Sequence, residues 1–126
     1  MKGNVGLWID HRKAVIVSLT ARVEKTMRII SHMERHVRYS GGSKDAAAED
    51  HRDRRYTDHL YKYYDRVVSC IRGAEDVLIF GPGEAKGELR ARLQSDAFGG
   101  QIACLEAADK MTDRQVAAKV RLHFGG

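Results

Sequence analysis

A chain of 126 residues with 43% hydrophobic content can build one continuous core but not two, so one domain spanning 1–126 is expected. No apolar run approaches the roughly 18 residues of a membrane span, which argues against a span, and no membrane partner is expected. The net charge of +5 is uneven: residues 1–38 carry eight Lys and Arg against three acids, and residues 39–126 balance to zero.

A localised basic excess is the electrostatic footprint of a polyanion partner, although an ordinary solvated sheet face carries the same pattern. The opening Met1-Lys2-Gly3-Asn4 has no charged-then-apolar secretory pattern, so the cytoplasm is the expected location.

In chain order, Val5-Gly6-Leu7-Trp8-Ile9 and Ala14-Val15-Ile16-Val17-Ser18-Leu19 are two apolar runs separated by Asp10-His11-Arg12-Lys13, the pattern of a β-hairpin. A third, half-buried strand is expected from about Val23 to Val37, with Val23, Met27, Ile29, Met33 and Val37 on its apolar face. Periodicity stops at Tyr39-Ser40-Gly41-Gly42-Ser43-Lys44-Asp45, a loop signal. A helix follows from about Asp53 to Arg72, where Tyr56, Leu60, Tyr63, Tyr64, Val67, Val68 and Ile71 form one stripe before Gly73 stops it.

The second half alternates strand and helix. Asp76 to Phe80 reads as a buried strand, Gly81-Pro82-Gly83 as a turn, and Glu84 to Leu93 as a helix with Ala85, Leu89 and Leu93 inward. Gln101 to Leu105 is the last strand. Thr112-Asp113-Arg114-Gln115 is a capping box opening a helix whose inner face holds Val116, Val120 and either His123 or Phe124. The order β-β-β-α-β-α-β-α predicts an α/β fold: a mixed five-stranded sheet, an antiparallel meander then parallel crossover strands, with helices on its faces, in ribonuclease-H-like topology.

Cys70 and Cys104 both sit in apolar contexts, a helix face and a strand. They read as small core hydrophobes rather than as a disulfide or redox pair.

Three landmarks in order make the chain resemble the central domain of archaeal and eukaryotic peptide-chain release factors and of the Pelota rescue family, in a stand-alone form. They are the hairpin Gly6-Leu7-Trp8-Ile9-Asp10 with Ala14-Val15-Ile16-Val17, the loop Ser40-Gly41-Gly42-Ser43 leading to the aromatic helix Tyr56 to Tyr64, and Val77-Leu78-Ile79-Phe80-Gly81-Pro82-Gly83-Glu84-Ala85-Lys86. The resemblance spans about residues 4–124. It implies a translational machinery component facing the ribosome.

In release factors the glycine loop reads Gly-Gly-Gln and promotes peptidyl-tRNA hydrolysis. Here the matching place reads Gly41-Gly42-Ser43, so the resemblance implies binding without termination chemistry, as in Pelota. Gly99-Gly100-Gln101 spells the catalytic tripeptide, but it stands before the last strand, where a tight turn accounts for it.

Other candidate sites have plain competitors. Gly81-Pro82-Gly83 before a helix resembles an anion-binding turn, yet it lacks the ending of a P-loop and is followed by Glu84. Asp10 stands where ribonuclease-H-like nucleases hold metal, but no converging acids accompany it, so it reads as a turn residue. His32, Glu34 and His36 on a strand read as a solvated face rather than a zinc site. Of Tyr56, Tyr61, Tyr63 and Tyr64, at least one must face solvent, as a stacking platform or an interface anchor.

The expected partner is therefore a ribosome or RNA, contacted by Gly41, Gly42, Ser43, Lys44, Arg52, Arg54 and Arg55 along with the basic N-terminal strands. No catalytic residue, cofactor or metal is expected. Two rivals stand beside this reading: a homo-oligomeric interaction module that has lost ribosome binding, and an enzyme, either a residual peptidyl-tRNA hydrolase or a metal nuclease.

Overall fold

In the computed structural model, the described residues are 3–21, 23–31, 46–96 and 98–125, with backbone alone for 46–55 and 104. Among the described residues, eight elements follow in the expected order: β1 (Asn4–Ile9), β2 (Lys13–Leu19), β3 (Glu24–Ile30), α1 (Ala46–Ile71), β4 (Asp76–Gly81), α2 (Ala85–Ser95), β5 (Gln101–Ala107) and α3 (Asp113–Phe124).

The sheet order is β3-β2-β1-β4-β5. β1, β4 and β5 run parallel, while β2 is antiparallel to both β1 and β3, which is the ribonuclease-H-like arrangement. β1 and β4 lie at the centre with both faces covered, which is why each reads as an unbroken apolar run rather than an alternation.

Strand alternation sends each set of side chains to its own layer. Val5, Leu7, Ile9, Ala14, Ile16, Val77 and Ile79 face α1 and α2, meeting Leu60, Tyr63, Tyr64, Val67, Val68, Ile71, Leu89 and Leu93. Trp8, Val15, Val17, Leu78 and Phe80 face α3, meeting Val116, Ala117 and Val120. Fully burying each Val, Leu, Ile or Phe among them contributes about 1.5–3 kcal/mol.

The glycine at position 6 lets α3 cross close over β1, since a Cβ there would lie 2.3 Å from Val120 Cγ2. The capping box is formed as expected: Gln115 N donates to Thr112 Oγ1 at 3.2 Å and Thr112 N donates to Gln115 Oε1 at 2.8 Å.

Several expectations need correction. α1 starts at Ala46, seven positions before the expected Asp53. β3 is an edge strand, and of its expected apolar face only Ile29 is buried; Val23 and Met27 are each 49% exposed, and Met33 and Val37 lie outside the described residues. Cys70 is exposed rather than part of the core, its thiol 3.4 Å from Met27 Sδ at the sheet margin. The side chain of Cys104 lies outside the described residues. On α3, Phe124 and not His123 packs inward.

Candidate nucleic-acid interface

All three parallel strands end on the same side of the sheet, and the antiparallel pairing of β1, β2 and β3 brings the Asp10–Lys13 turn and the end of β3 there too. Asp10 closes that turn: its Oδ1 accepts from Arg12 N and Lys13 N, both at 2.8 Å. Ser31 locks β3 to the turn, donating from Oγ to the His11 carbonyl at 2.6 Å and from N to the Arg12 carbonyl at 2.8 Å.

Three side chains of α1 then hold the backbone at this end. Tyr63 donates to the Asp10 carbonyl at 3.0 Å, Arg66 to the Ile30 carbonyl at 2.7 Å, and the His59 ring Nε2 to the Ser31 carbonyl. The positions 59, 63 and 66 recur at helical spacing, so one face of α1 meets one strand end.

Beside this clamp, Tyr64 donates to Glu88 Oε1 at 2.6 Å, and the same oxygen lies 3.0 Å from His11 Nε2. Burial pushes both phenols above their ordinary value of 10.0; the charge of Asp10 adds to this at Tyr63, and the hydrogen bond to Glu88 at Tyr64. Both therefore act as hydrogen-bond donors at neutral pH and not as bases.

Open α/β sheets place ligands outside the carboxyl ends of adjacent strands whose connections diverge, here β1 and β4. At that corner Gly81, at φ 152°, lies so near β1 that a Cβ would fall 2.1 Å from the Ile9 carbonyl oxygen, and Tyr63 and Tyr64 donate to the Asp10 carbonyl and to Glu88 beside it. The turn to α2 is completed by Gly83 at φ 64°, whose carbonyl accepts from Lys86 Nζ. Among the described residues, no group of three or more His, Cys, Asp or Glu is placed to hold a metal ion.

No protein-family model and no curated protein matches the sequence. Among solved structures, that of Pelota from Thermoplasma acidophilum aligns with 96% of this chain and 32% of its own, at 15% identity and a TM-score of 0.61. The chain shares its fold with part of Pelota. The archaeal translation termination factor aRF1 aligns over 98% of this chain and 41% of its own, at 14% identity and a TM-score of 0.45. The chain thus spans about a third of the Pelota structure and well under half of aRF1.

Against this fold, the sequence candidates fall as follows. Gly41, Gly42, Ser43 and Lys44 lie outside the described residues, as do His32, Glu34 and His36. Arg52, Arg54 and Arg55 stand on the first half of α1, N-terminal to the stretch from Tyr56 to Ile71 that packs on the sheet; their side chains lie outside the described residues.

Of Tyr56, Tyr61, Tyr63 and Tyr64, Tyr61 is the exposed one, at 42%. One of its faces is already covered by the Arg92 guanidinium, 4.6 Å from the ring centroid. Asp65 holds that guanidinium through bonds of 2.9 and 3.0 Å, and Arg92 in turn keeps the Asp65 carboxyl below its ordinary range. Gly99-Gly100-Gln101 is a turn into β5: a Cβ on Gly100 would lie 2.4 Å from the Ala74 carbonyl oxygen, and Gln101 N donates to the Glu75 carbonyl at 2.9 Å.

Sequence reasoning missed His59, Arg66 and Glu88. The only signal available for the first two was their helical spacing with Tyr63, which carries no information about a strand end far away in sequence.

Proposed function

We propose that the chain is a release-factor-like translational module, one domain over residues 1–126, that binds a ribosome or RNA without cleaving it and works in ribosome rescue in the cytoplasm. Its contacts are Gly41, Gly42, Ser43, Lys44, Arg52, Arg54 and Arg55. The observation that carries this reading is the fold shared with Pelota over 96% of the chain. The topology adds support, because β3 ends, and α1 braces the chain, at one end of the sheet. Ser43 stands where the release-factor loop carries glutamine, which favours binding over hydrolysis.

Sedimentation of the protein with purified ribosomes through sucrose gradients, at low and moderate salt, tests this. Co-migration that fades as salt rises is the expected result, because phosphate-dominated binding is strongly salt-dependent. Protein remaining at the top of the gradient in both conditions overturns the reading and favours a homo-oligomeric interaction module.

A further inference from the structure

On the face of the sheet opposite α1, the start of α3 leans over the β2–β3 pair and leaves an open cleft of about 620 Å³. Its lining includes Lys13 from β2, Arg28 from β3, Lys110 from the loop after β5, and Arg114 from α3, against the single acid Asp113. Asp113 is already neutralised by Arg28, at 2.6 Å. Lys110 and Arg114 are exposed and make no ion pair with any described residue. Lys13 has only the Trp8 ring beneath its ammonium, 5.6 Å from the centroid.

The ring that supports Lys13 is itself fixed, since Trp8 Nε1 donates to the Asp109 carbonyl at 3.0 Å and so ties the 108–112 loop to β1. Three unneutralised cations from three separate segments are thus held together by the fold. The helix end contributes nothing to this argument, because Thr112 and Gln115 cap it reciprocally.

We propose that this cleft is a second phosphate-binding surface, taking the backbone of single-stranded RNA through Lys13, Lys110 and Arg114 independently of base sequence. It rests on the RNA-binding reading above and extends it to the α3 face. Lys13 also belongs to the turn that α1 holds from the other side, so a strand following the cleft runs onto the sheet end that α1 braces. The cleft offers charge and no free aromatic face, which favours phosphate over base recognition.

The test is an anisotropy titration of labelled polyuridylate with wild type, K13Q/K110Q/R114Q and the control R90Q, across a range of salt. Three lost phosphate contacts should reduce the slope of log affinity against log salt by about 2, which is about a hundredfold weaker binding at ~0.1 M salt. The control should follow wild type, as Arg90 lies on α2 on the opposite face. Circular dichroism and melting confirm that the triple variant is folded. As a second readout, polyuridylate should protect Lys13 and Lys110 from amine acetylation, read by mass spectrometry.

A triple variant with the wild-type slope, or unprotected lysines, overturns the cleft while leaving ribosome co-sedimentation to decide the wider reading. Failure of wild type to bind polyuridylate at low salt also overturns it, and so does binding of anionic lipid vesicles in preference to the RNA.

Discussion

Replacing Gly6 by alanine probes the contact that seats α3 on the sheet. The added Cβ would lie 2.3 Å from Val120 Cγ2, 2.8 Å from Cγ1 and 3.0 Å from Cβ. Carbon atoms prefer separations of about 3.5–4.0 Å, so the overlap is about an ångström. Because all three Val120 atoms are too close, no rotation about its stiff χ1 relieves the clash. α3 must lift from β1, and overpacking of this kind costs about 1–3 kcal/mol. For a chain of this size that is a melting temperature lower by about 4–12 °C.

Thermal denaturation followed by circular dichroism reads the loss, and V120A supplies the second arm of a double-mutant cycle. Val120 is fully buried, so V120A alone is destabilising. In G6A/V120A the two losses should not add, because the smaller side chain makes room for the new methyl. Strict additivity, or a G6A protein as stable as wild type, would refute the close-approach account of Gly6. Since α3 carries Arg114 and follows Lys110, G6A should also weaken the polyuridylate binding proposed above.

The buried tyrosines give two further predictions. Y64F keeps the ring that packs at 5.4 Å on Tyr63 but removes the donor to Glu88, and should cost about 1–2 kcal/mol in urea unfolding; unchanged stability would show that this hydrogen bond contributes nothing. For pH, the folded-state values of Tyr63 and Tyr64 lie above 10.0, so the stability they contribute is fully present below that pH and lost as pH rises beyond it. Of five tyrosines in the chain, these two should yield phenolate absorbance only as the far-ultraviolet signal of the fold collapses. Ionisation of all five in a still-folded protein would contradict the burial described here.

Where a segment of sequence meets its partner on both sides, its pattern could be read directly. β1 and β4 are central, so their apolar runs matched their environment, and Thr112 with Gln115 is a purely local motif. The start of α1 was missed because residues 46–52 have no apolar stripe; the alanines at 46–48 favour helix by propensity alone, without a packing face to reveal it. Cys70 and Met27 were misplaced for one common reason. Sequence periodicity identifies the side of an element but not how far the neighbouring layer extends, and both lie where the sheet runs out beside β3. The basic cleft was equally hidden: the charge imbalance pointed to the N-terminal strands, while Lys110 and Arg114 reach Lys13 only through the sheet order.

That same sheet order bears on how the molecule could act. A fold whose strand ends ordinarily frame a crevice here has Gly81 drawn against Ile9, with Tyr63 donating to the Asp10 carbonyl and Tyr64 to Glu88. Asp10, at the end of β1, gives its Oδ1 to two backbone N–H groups, and Glu88 Oε1 faces Tyr64 and His11. The polar groups at this corner thus bind one another and brace the turn between β1 and β2. Under the proposals above, recognition falls to the first half of α1 on one face and the cationic cleft on the other. On the same proposals, a partner that reaches both faces of a sheet end is extended, and the cations of the cleft favour an anionic one, as RNA backbone is.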